Sequence, residues 1–70
     1  MIDIKKKFGD KLRQIRKQKK ISQEELAFRA KLHRTYVSDV ERGSRNISIK
    51  NVEKIAKALD VCLPDLFNNK

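Results

Sequence analysis

Arg34 and Thr35 open a short amphipathic segment, and both side chains suit the edges of DNA bases. The guanidinium of Arg34 can donate twice to guanine O6 and N7, and Thr35 combines a hydroxyl with a methyl group that suits thymine. Ser38 and Asp39 follow one helical turn later, at i+4, within reach of a flanking base. Asp39 would accept from cytosine N4 there; solvent or a cation such as Arg42 are the alternatives. The pattern predicts a base-reading surface of Arg34, Thr35, Ser38 and Asp39.

Other polar side chains lie where they could contact the phosphates of a DNA backbone. Gln23 and Asn51 fall in the first turns of predicted helices, where free backbone N–H groups and the positive end of the helix dipole favour an anion. The hydroxyl of Tyr36 can reach a phosphate, and a half-buried aromatic without that role is the alternative. His33 caps a helix poorly, which leaves it available for a phosphate contact, unless it is an indifferent exposed turn residue.

Two short helices with a three-residue break between them must position these side chains. Ser22 and Glu25 have the spacing of a capping box, in which each side chain bonds to the backbone of the other residue, and this predicts a helix from about Gln23 to Ala30. Apolar residues at helical spacing give the two helices one buried face each: Leu26, Ala27, Ala30, Val37 and Val40. The pattern predicts a helix-turn-helix over about residues 22–42.

Nearly the whole chain, from about residue 8 to residue 67, resembles the phage-repressor (XRE) family of DNA-binding domains. It is most similar to the controller proteins of restriction-modification systems, over the segment HRTYVSDVERGSRNISIKNVEKIAKAL. The resemblance implies that the helix opened by Arg34 enters the major groove. It also implies that Arg45 and Asn46, in the following loop, contact the backbone or the minor groove. Lys31 stands where the family has a turn glycine, and a positive φ there would cost about 1 to 2 kcal/mol.

Glu41 places a negative charge near the C-terminal end of the third helix, where the helix dipole disfavours it, and beside a polyanionic ligand. It therefore needs a cation. The resemblance implies that Arg16 pairs with Glu41 as a shielded ion pair between the first and third helices. The alternative is that both residues are solvated surface charges, whose pairing would contribute only about 0 to 1 kcal/mol.

The flanking segments complete an all-α fold of five helices, with residues 1–70 as a single domain. An apolar stripe of Ile4, Phe8, Leu12 and Ile15 predicts a first helix from about Asp3 to Lys19, in which Gly9 is tolerated at some cost. Ser48 is expected to cap a fourth helix that ends near Asp60. Its buried side would consist of Ile49, Val52, Ile55, Ala56 and Leu59. Pro64 suits the first turn of a short fifth helix, which would end at about Phe67.

The C-terminal segment holds more apolar residues than one small core needs. The resemblance implies a two-fold dimer interface in this segment, at about residues 58–67. We expect Val61 and Leu63 to fold back onto the core, and the alternative is that the whole segment does so. The expected interface residues are Ala58, Cys62, Leu66 and Phe67.

Seventy residues fit one small domain, near the size at which oligomerisation often supplies further buried area. Eighteen Lys and Arg residues against nine Asp and Glu give a net charge of +9, and nine of the cations lie between Lys5 and Lys20. Such a charge favours polyanions. Without an apolar stretch that suits a signal peptide or membrane span, we expect a cytoplasmic protein that binds no membrane. Cys62, alone and far from His33, predicts neither a disulfide nor a metal site, and no cofactor is expected.

These features predict a sequence-specific DNA-binding transcription regulator that binds a two-fold symmetric operator as a homodimer. Glu24, on the outer face of the second helix, lies where some members of the family touch RNA polymerase, so that enzyme is a further candidate partner. The chain lacks the residue sets of an enzyme. The alternative is a helix-turn-helix module of the bridging-factor kind, which contacts other proteins and binds nucleic acid loosely.

Overall fold

A computed structural model describes residues 3–67, and these form an all-helical domain. Four α-helices, α1 (Ile4–Gln18), α2 (Gln23–Ala30), α3 (Arg34–Arg42) and α4 (Ile49–Leu59), precede a 3₁₀ turn at Leu63–Leu66. No strand occurs among these residues, and none of their helices is long and apolar enough to cross a membrane. The predicted fifth helix is thus corrected to a single 3₁₀ turn. It is too short for an α-helical ladder, and its bonds span three residues, from the N–H groups of Asp65 and Phe67 to the carbonyls of Cys62 and Pro64.

Side-chain caps set the starts of three helices. Asp3 accepts from the backbone N–H of Lys5, Ser22 from that of Glu25 at 2.9 Å, and Ser48 from that of Asn51 at 3.2 Å. Each of these bonds satisfies a donor that the first helical turn leaves without a partner. The predicted capping box is only half formed, because the Glu25 carboxylate binds Arg29 at 2.7 Å.

The core lies where α3 packs against α1 and α2, and α4 and the 3₁₀ turn close it. Its most deeply buried apolar residues are Leu12, Leu26, Val37, Val40, Ile55, Leu59 and Leu66. Ile4 and Ile49, expected in the buried stripes, are instead 61% and 83% exposed. Each is the first residue of its helix, and helical side chains lean toward the N-terminus, so these two extend past the end of the packed face.

The turn between α2 and α3 depends on a left-handed residue. Lys31 has φ 59° and ψ 44°, and its N–H bonds back to the carbonyls of Ala27 and Phe28. The positive φ at this position is strained for a side chain other than glycine, at a cost of about 1 to 2 kcal/mol. It ends α2 abruptly, so that α3 can begin after only two further residues.

Gly9 is the point of closest approach between α1 and α3. A Cβ atom on this residue would lie 2.4 Å from the carbonyl oxygen of Val40 and 2.6 Å from that of Glu41. Both are backbone atoms, which cannot move aside as the end of a flexible side chain can. Gly9, expected only to weaken its helix, is therefore required for α1 to contact the backbone of α3.

We predict that Gly9→Ala destabilises the protein, although alanine favours a helix by about 1 kcal/mol over glycine at an unconstrained position. The added methyl must force α1 away from α3, and such overpacking costs about 1 to 3 kcal/mol or more. Urea unfolding followed by circular dichroism gives the free energy. Gln14→Ala, at an exposed position of the same helix, serves as the control and should stay within about 0.5 kcal/mol of the parent. A Gly9→Ala protein as stable as the parent would contradict the close approach.

Candidate nucleic-acid interface

Helix α3 separates its apolar residues from its polar ones. Val37 and Val40 are fully buried, whereas Arg34 and Thr35 are exposed in the first turn. Ser38, on the same side one turn later, is half-buried. Because the valines anchor the helix, its first turn can present a guanidinium and a hydroxyl to a ligand without loss of packing.

A shallow cavity of about 370 Å³ lies beside this first turn. The turn before α3, the start of α3 and the loop after it line the cavity through Lys31, Leu32, His33, Thr35, Tyr36 and Arg45. His33 is the N-cap residue of α3 and its side chain makes no capping bond. The cavity joins two cationic side chains to the positive end of the α3 dipole, which favours an anion such as a phosphate.

Tyr36 links the loop after α3 to the start of α4. The guanidinium of Arg45 lies 4.9 Å from the centre of the Tyr36 ring, and the Asn51 amide donates to the Tyr36 hydroxyl at 2.9 Å. Asn51, expected to contact a phosphate, is thus engaged within the protein. The Tyr36 hydroxyl accepts this bond and keeps its own hydrogen for a further acceptor. Asn46 lies nearby in the chain and is exposed.

Asp39 is held by two arginines, which disfavours the base-reading role predicted for it. Its Oδ1 accepts from Arg42, and its Oδ2 accepts from Arg45 at 3.3 Å. Arg42 also donates to Ser38 Oγ at 2.8 Å. The expected alternative, pairing with Arg42, is present, and the second cation was not foreseen. Both side chains of the second turn are therefore occupied by contacts within the protein.

Glu41 is the centre of a buried polar network. Its side chain is fully buried, and Arg16 donates to it twice, from Nε at 2.6 Å and from Nη2 at 3.1 Å. The third nitrogen of the guanidinium, Nη1, donates to the carbonyl of Ile21 at 2.9 Å. No buried side-chain nitrogen or oxygen among the described residues lacks a hydrogen-bond partner. The network ties α3 to α1 and to the segment that enters α2.

Gln23 belongs to the same network, which its sequence position did not reveal. Its Nε2 donates to Glu41 Oε1 at 3.0 Å, while Arg13 approaches the same oxygen at 3.7 Å. The amide expected to contact a phosphate thus also positions the start of α2. The expected pairing of Glu41 with Arg16 held one signal for this role. A buried carboxylate can accept more hydrogen bonds than one guanidinium donates, so a further polar partner such as Gln23 is expected.

The C-terminal segment differs from its expected arrangement in two places. Leu66 is fully buried in the core of the single chain, so it is corrected from an interface residue to a core residue. Leu63, expected in the core, is 40% exposed, because the 3₁₀ turn points Leu66 inward in its place. Phe67 is 52% exposed, with its ring 5.4 Å from that of Phe8. Of the other expected interface residues, Cys62 is exposed and Ala58 is half-buried.

Comparison with protein families places this geometry in a known context. A helix-turn-helix family model matches residues 12–66. The chain is 60% identical over 62 residues to the control protein C.BamHI of Bacillus amyloliquefaciens, covering 87% of this chain and 76% of that protein. It is 47% identical over 70 residues to the control protein C.MunI of Mycoplasma sp, covering 99% and 95%.

A solved structure is similar over the same extent. The restriction-modification controller protein C.AhdI from Aeromonas hydrophila superimposes with a TM-score of 0.92 at 48% sequence identity, covering 94% of this chain and all of that one. Among residues 3–67 no group of three or more metal-ligating side chains comes together.

We predict strong coupling between Arg16 and Glu41. Arg16→Met or Glu41→Leu alone leaves a buried charge without its partner, which costs about 3 to 5 kcal/mol, whereas the double variant removes both charges and should lose much less than the sum. Urea unfolding of the four proteins gives the coupling energy. The exposed pair Arg29 and Glu25, at i+4, is the matched control and should couple by no more than about 0.5 kcal/mol. Equal coupling in the two pairs would contradict the structural role of the buried one.

Proposed function

The chain belongs to the helix-turn-helix family of DNA-binding transcription regulators, and on that premise we propose that it binds a two-fold symmetric operator as a homodimer. The observation that carries the proposal is the first turn of α3, where Arg34 and Thr35 are exposed. The rest of this helix is held in place by the buried side chains of Val37 and Val40 and by the Glu41 network. We assign base reading to Arg34 and Thr35. Arg34 would donate to guanine, and Thr35 would contact thymine or accept a hydrogen bond.

The backbone contacts surround this first turn. Arg45, His33 and the Tyr36 hydroxyl border the cationic cavity and would bind phosphates flanking the bases that are read. The N–H groups at the start of α2, positioned by Gln23, would bind a phosphate on the other side. Asn46 is a further backbone candidate, by resemblance to the family's loop. The net charge of +9 would add a salt-dependent attraction for any DNA sequence.

Two copies are needed to read a symmetric site. The described domain measures 33 × 23 × 21 Å, and successive major-groove segments on one face of DNA lie one turn apart, about 34 Å. One copy has a single α3 and is no longer than this separation, so it can read only one groove segment. The surface for the second copy is the C-terminal apolar patch, which we define as Leu63, Phe67, Cys62 and Ala58. It carries two of the five large apolar side chains that are exposed among residues 3–67, and these two lie close together in the chain.

The likeness to the control proteins suggests which genes the protein regulates and whether it represses or activates them. By likeness to the control proteins, we propose that the chain controls a neighbouring restriction-modification system. It would repress where its operator overlaps a promoter. Activation through RNA polymerase is a second candidate, since Glu24 is exposed on α2 one turn before Phe28, which is 80% exposed.

The competing function is a protein-interaction module of the bridging-factor kind. Such a module does not need an arginine and a threonine exposed at the start of α3. A band-shift assay with competitor DNA discriminates the two functions: a saturable, sequence-dependent complex at moderate salt supports the regulator, and uniformly weak binding supports the module. Selection of bound sites from random DNA then identifies the operator.

Substitution of two arginines should separate base reading from backbone contact. Arg34→Ala is expected to lose about 1 to 3 kcal/mol per half-site on the operator and to flatten the preference at one base pair in each half. Its affinity for random duplex should fall much less. Arg45→Ala should weaken operator and random duplex alike and reduce the salt slope by about one per protomer. Binding isotherms at several salt concentrations on operator, single-base variants and random duplex provide the measurement. An unchanged base preference in Arg34→Ala would refute its assignment as a reader.

The oligomeric state tests the C-terminal apolar patch. The double change of Leu63 and Phe67 to Lys should yield a folded monomer, because two charges cannot be buried at a symmetric interface. Sedimentation at micromolar concentration measures the mass, and circular dichroism checks the fold. Phe28→Lys changes an exposed aromatic residue elsewhere and should leave the dimer intact. The patch is the wrong surface if the double variant remains dimeric, and the homodimer is wrong if the parent is monomeric.

A further inference from the structure

Asp39 binds two exposed guanidinium groups, and one of them, that of Arg45, is the group assigned to a DNA phosphate. Its two carboxylate oxygens accept from Arg42 and Arg45, and its side chain is 19% exposed. The side chains of Arg42 and Arg45 are 57% and 48% exposed. An ionised carboxylate and a phosphate present the same kind of acceptor to arginine. The protein thus carries its own anion beside the surface assigned to DNA.

The two arginines are held unequally. Arg42 lies on α3 with Asp39, at i+3, and has a second bond to Ser38 Oγ at 2.8 Å. Arg45 lies in the loop and reaches Asp39 through one hydrogen bond of 3.3 Å. An exposed pair of this kind is weak. Arg45 is therefore the arginine that a phosphate can draw away from Asp39.

The residues around Arg45 keep the free-energy cost of moving it from Asp39 to a phosphate small. When Arg45 leaves, Asp39 keeps Arg42, so no uncompensated carboxylate remains next to the phosphates. The Tyr36 ring, whose centre lies 4.9 Å from the guanidinium carbon, attracts the cation where Arg45 is paired with Asp39. Asn51 holds that ring through the Tyr36 hydroxyl. The guanidinium of Arg45 can therefore stay near the Tyr36 ring while its partner changes from the Asp39 carboxylate to a DNA phosphate.

We propose that Asp39 is an internal competitor that exchanges Arg45 with a DNA phosphate, and so lowers the affinity of the protein for all DNA. Asp39 is a positioning residue in this account, since it acts through Arg45 and touches no base. The inference rests on the proposed function in requiring that α3 and the loop after it face DNA. It deepens that function by explaining how a protein of charge +9 limits its affinity for DNA of any sequence.

Asp39→Asn tests the competition, because it removes the charge and keeps the shape of the side chain. Binding to a random duplex should become about threefold tighter per protomer, or about tenfold for a dimer, which is the range that one exposed ion pair of ordinary strength supplies. The operator should gain the same factor. The salt slope should stay unchanged, because Arg45 contacts the same phosphate in both proteins. Fluorescence anisotropy on labelled duplexes at several salt concentrations measures all three quantities.

Three further proteins isolate the mechanism. Asp10→Asn, at an exposed position on α1, raises the net charge by the same amount and should change the affinity less than Asp39→Asn does. Asp39→Glu keeps the charge and should bind like the parent. In an Arg45→Ala background, Asp39→Asn should have no effect beyond that of Asp10→Asn. Thermal unfolding confirms that each variant is folded.

Several results would overturn the exchange. The proposal is wrong if Asp39→Asn matches Asp10→Asn, weakens binding, or keeps its effect in the Arg45→Ala background. A salt slope that grows by about one per protomer would mean that Asp39 excludes Arg45 from DNA altogether. The random-duplex measurements need no operator. If no operator is found, the proposed function fails while the competition between Asp39 and phosphate is still decided.

Discussion

The buried pair of Arg16 and Glu41 is the interaction on which the presentation of α3 depends. Burying a carboxylate is costly unless it is paired with a cation and hydrogen-bonded, and here Arg16 donates twice while Gln23 adds a third bond. The same guanidinium binds the carbonyl of Ile21. Three segments thus meet at one carboxylate. An apolar contact could slide, whereas these bonds have fixed directions, so the network defines how α3 lies against α1 and the start of α2.

The network can form only because the backbones of α1 and α3 come close together. Gly9 permits that approach, since any side chain there would collide with the carbonyls of Val40 and Glu41. Gly43, at φ 75°, ends α3 at a point where an added Cβ would lie 2.7 Å from the Cα of Lys6. The only two glycines of the chain therefore both serve the packing of α3. In a domain of this size, one misplaced methyl group affects a large part of the total stability.

The two acidic residues on α3, Asp39 and Glu41, differ in their exposure to solvent. Glu41 is fully buried and its partner Arg16 is nearly so, whereas Asp39 is partly exposed and binds two exposed arginines. The buried carboxylate stabilises the fold, and the exposed one faces the surface where DNA phosphates would arrive. A strongly cationic protein can thus keep negative charge on the helix that we propose faces DNA, because both carboxylates of α3 already have a cation.

The sequence by itself determined the four α-helices, the Ser22 and Ser48 caps and the exposed Arg34–Thr35 start of α3, because periodicity and capping act over a few neighbouring residues. The partnership of Arg16 and Glu41 was reached only through resemblance to a family. Tertiary structure alone decided that Gln23 joins that pair, that Gly9 is indispensable, and that Asp39 holds Arg45. It also decided that Leu66 is buried and Leu63 exposed. These outcomes depend on contacts between different helices, on the path of the loop after α3, or on the direction of one short turn, and no pattern within a single helix contains them.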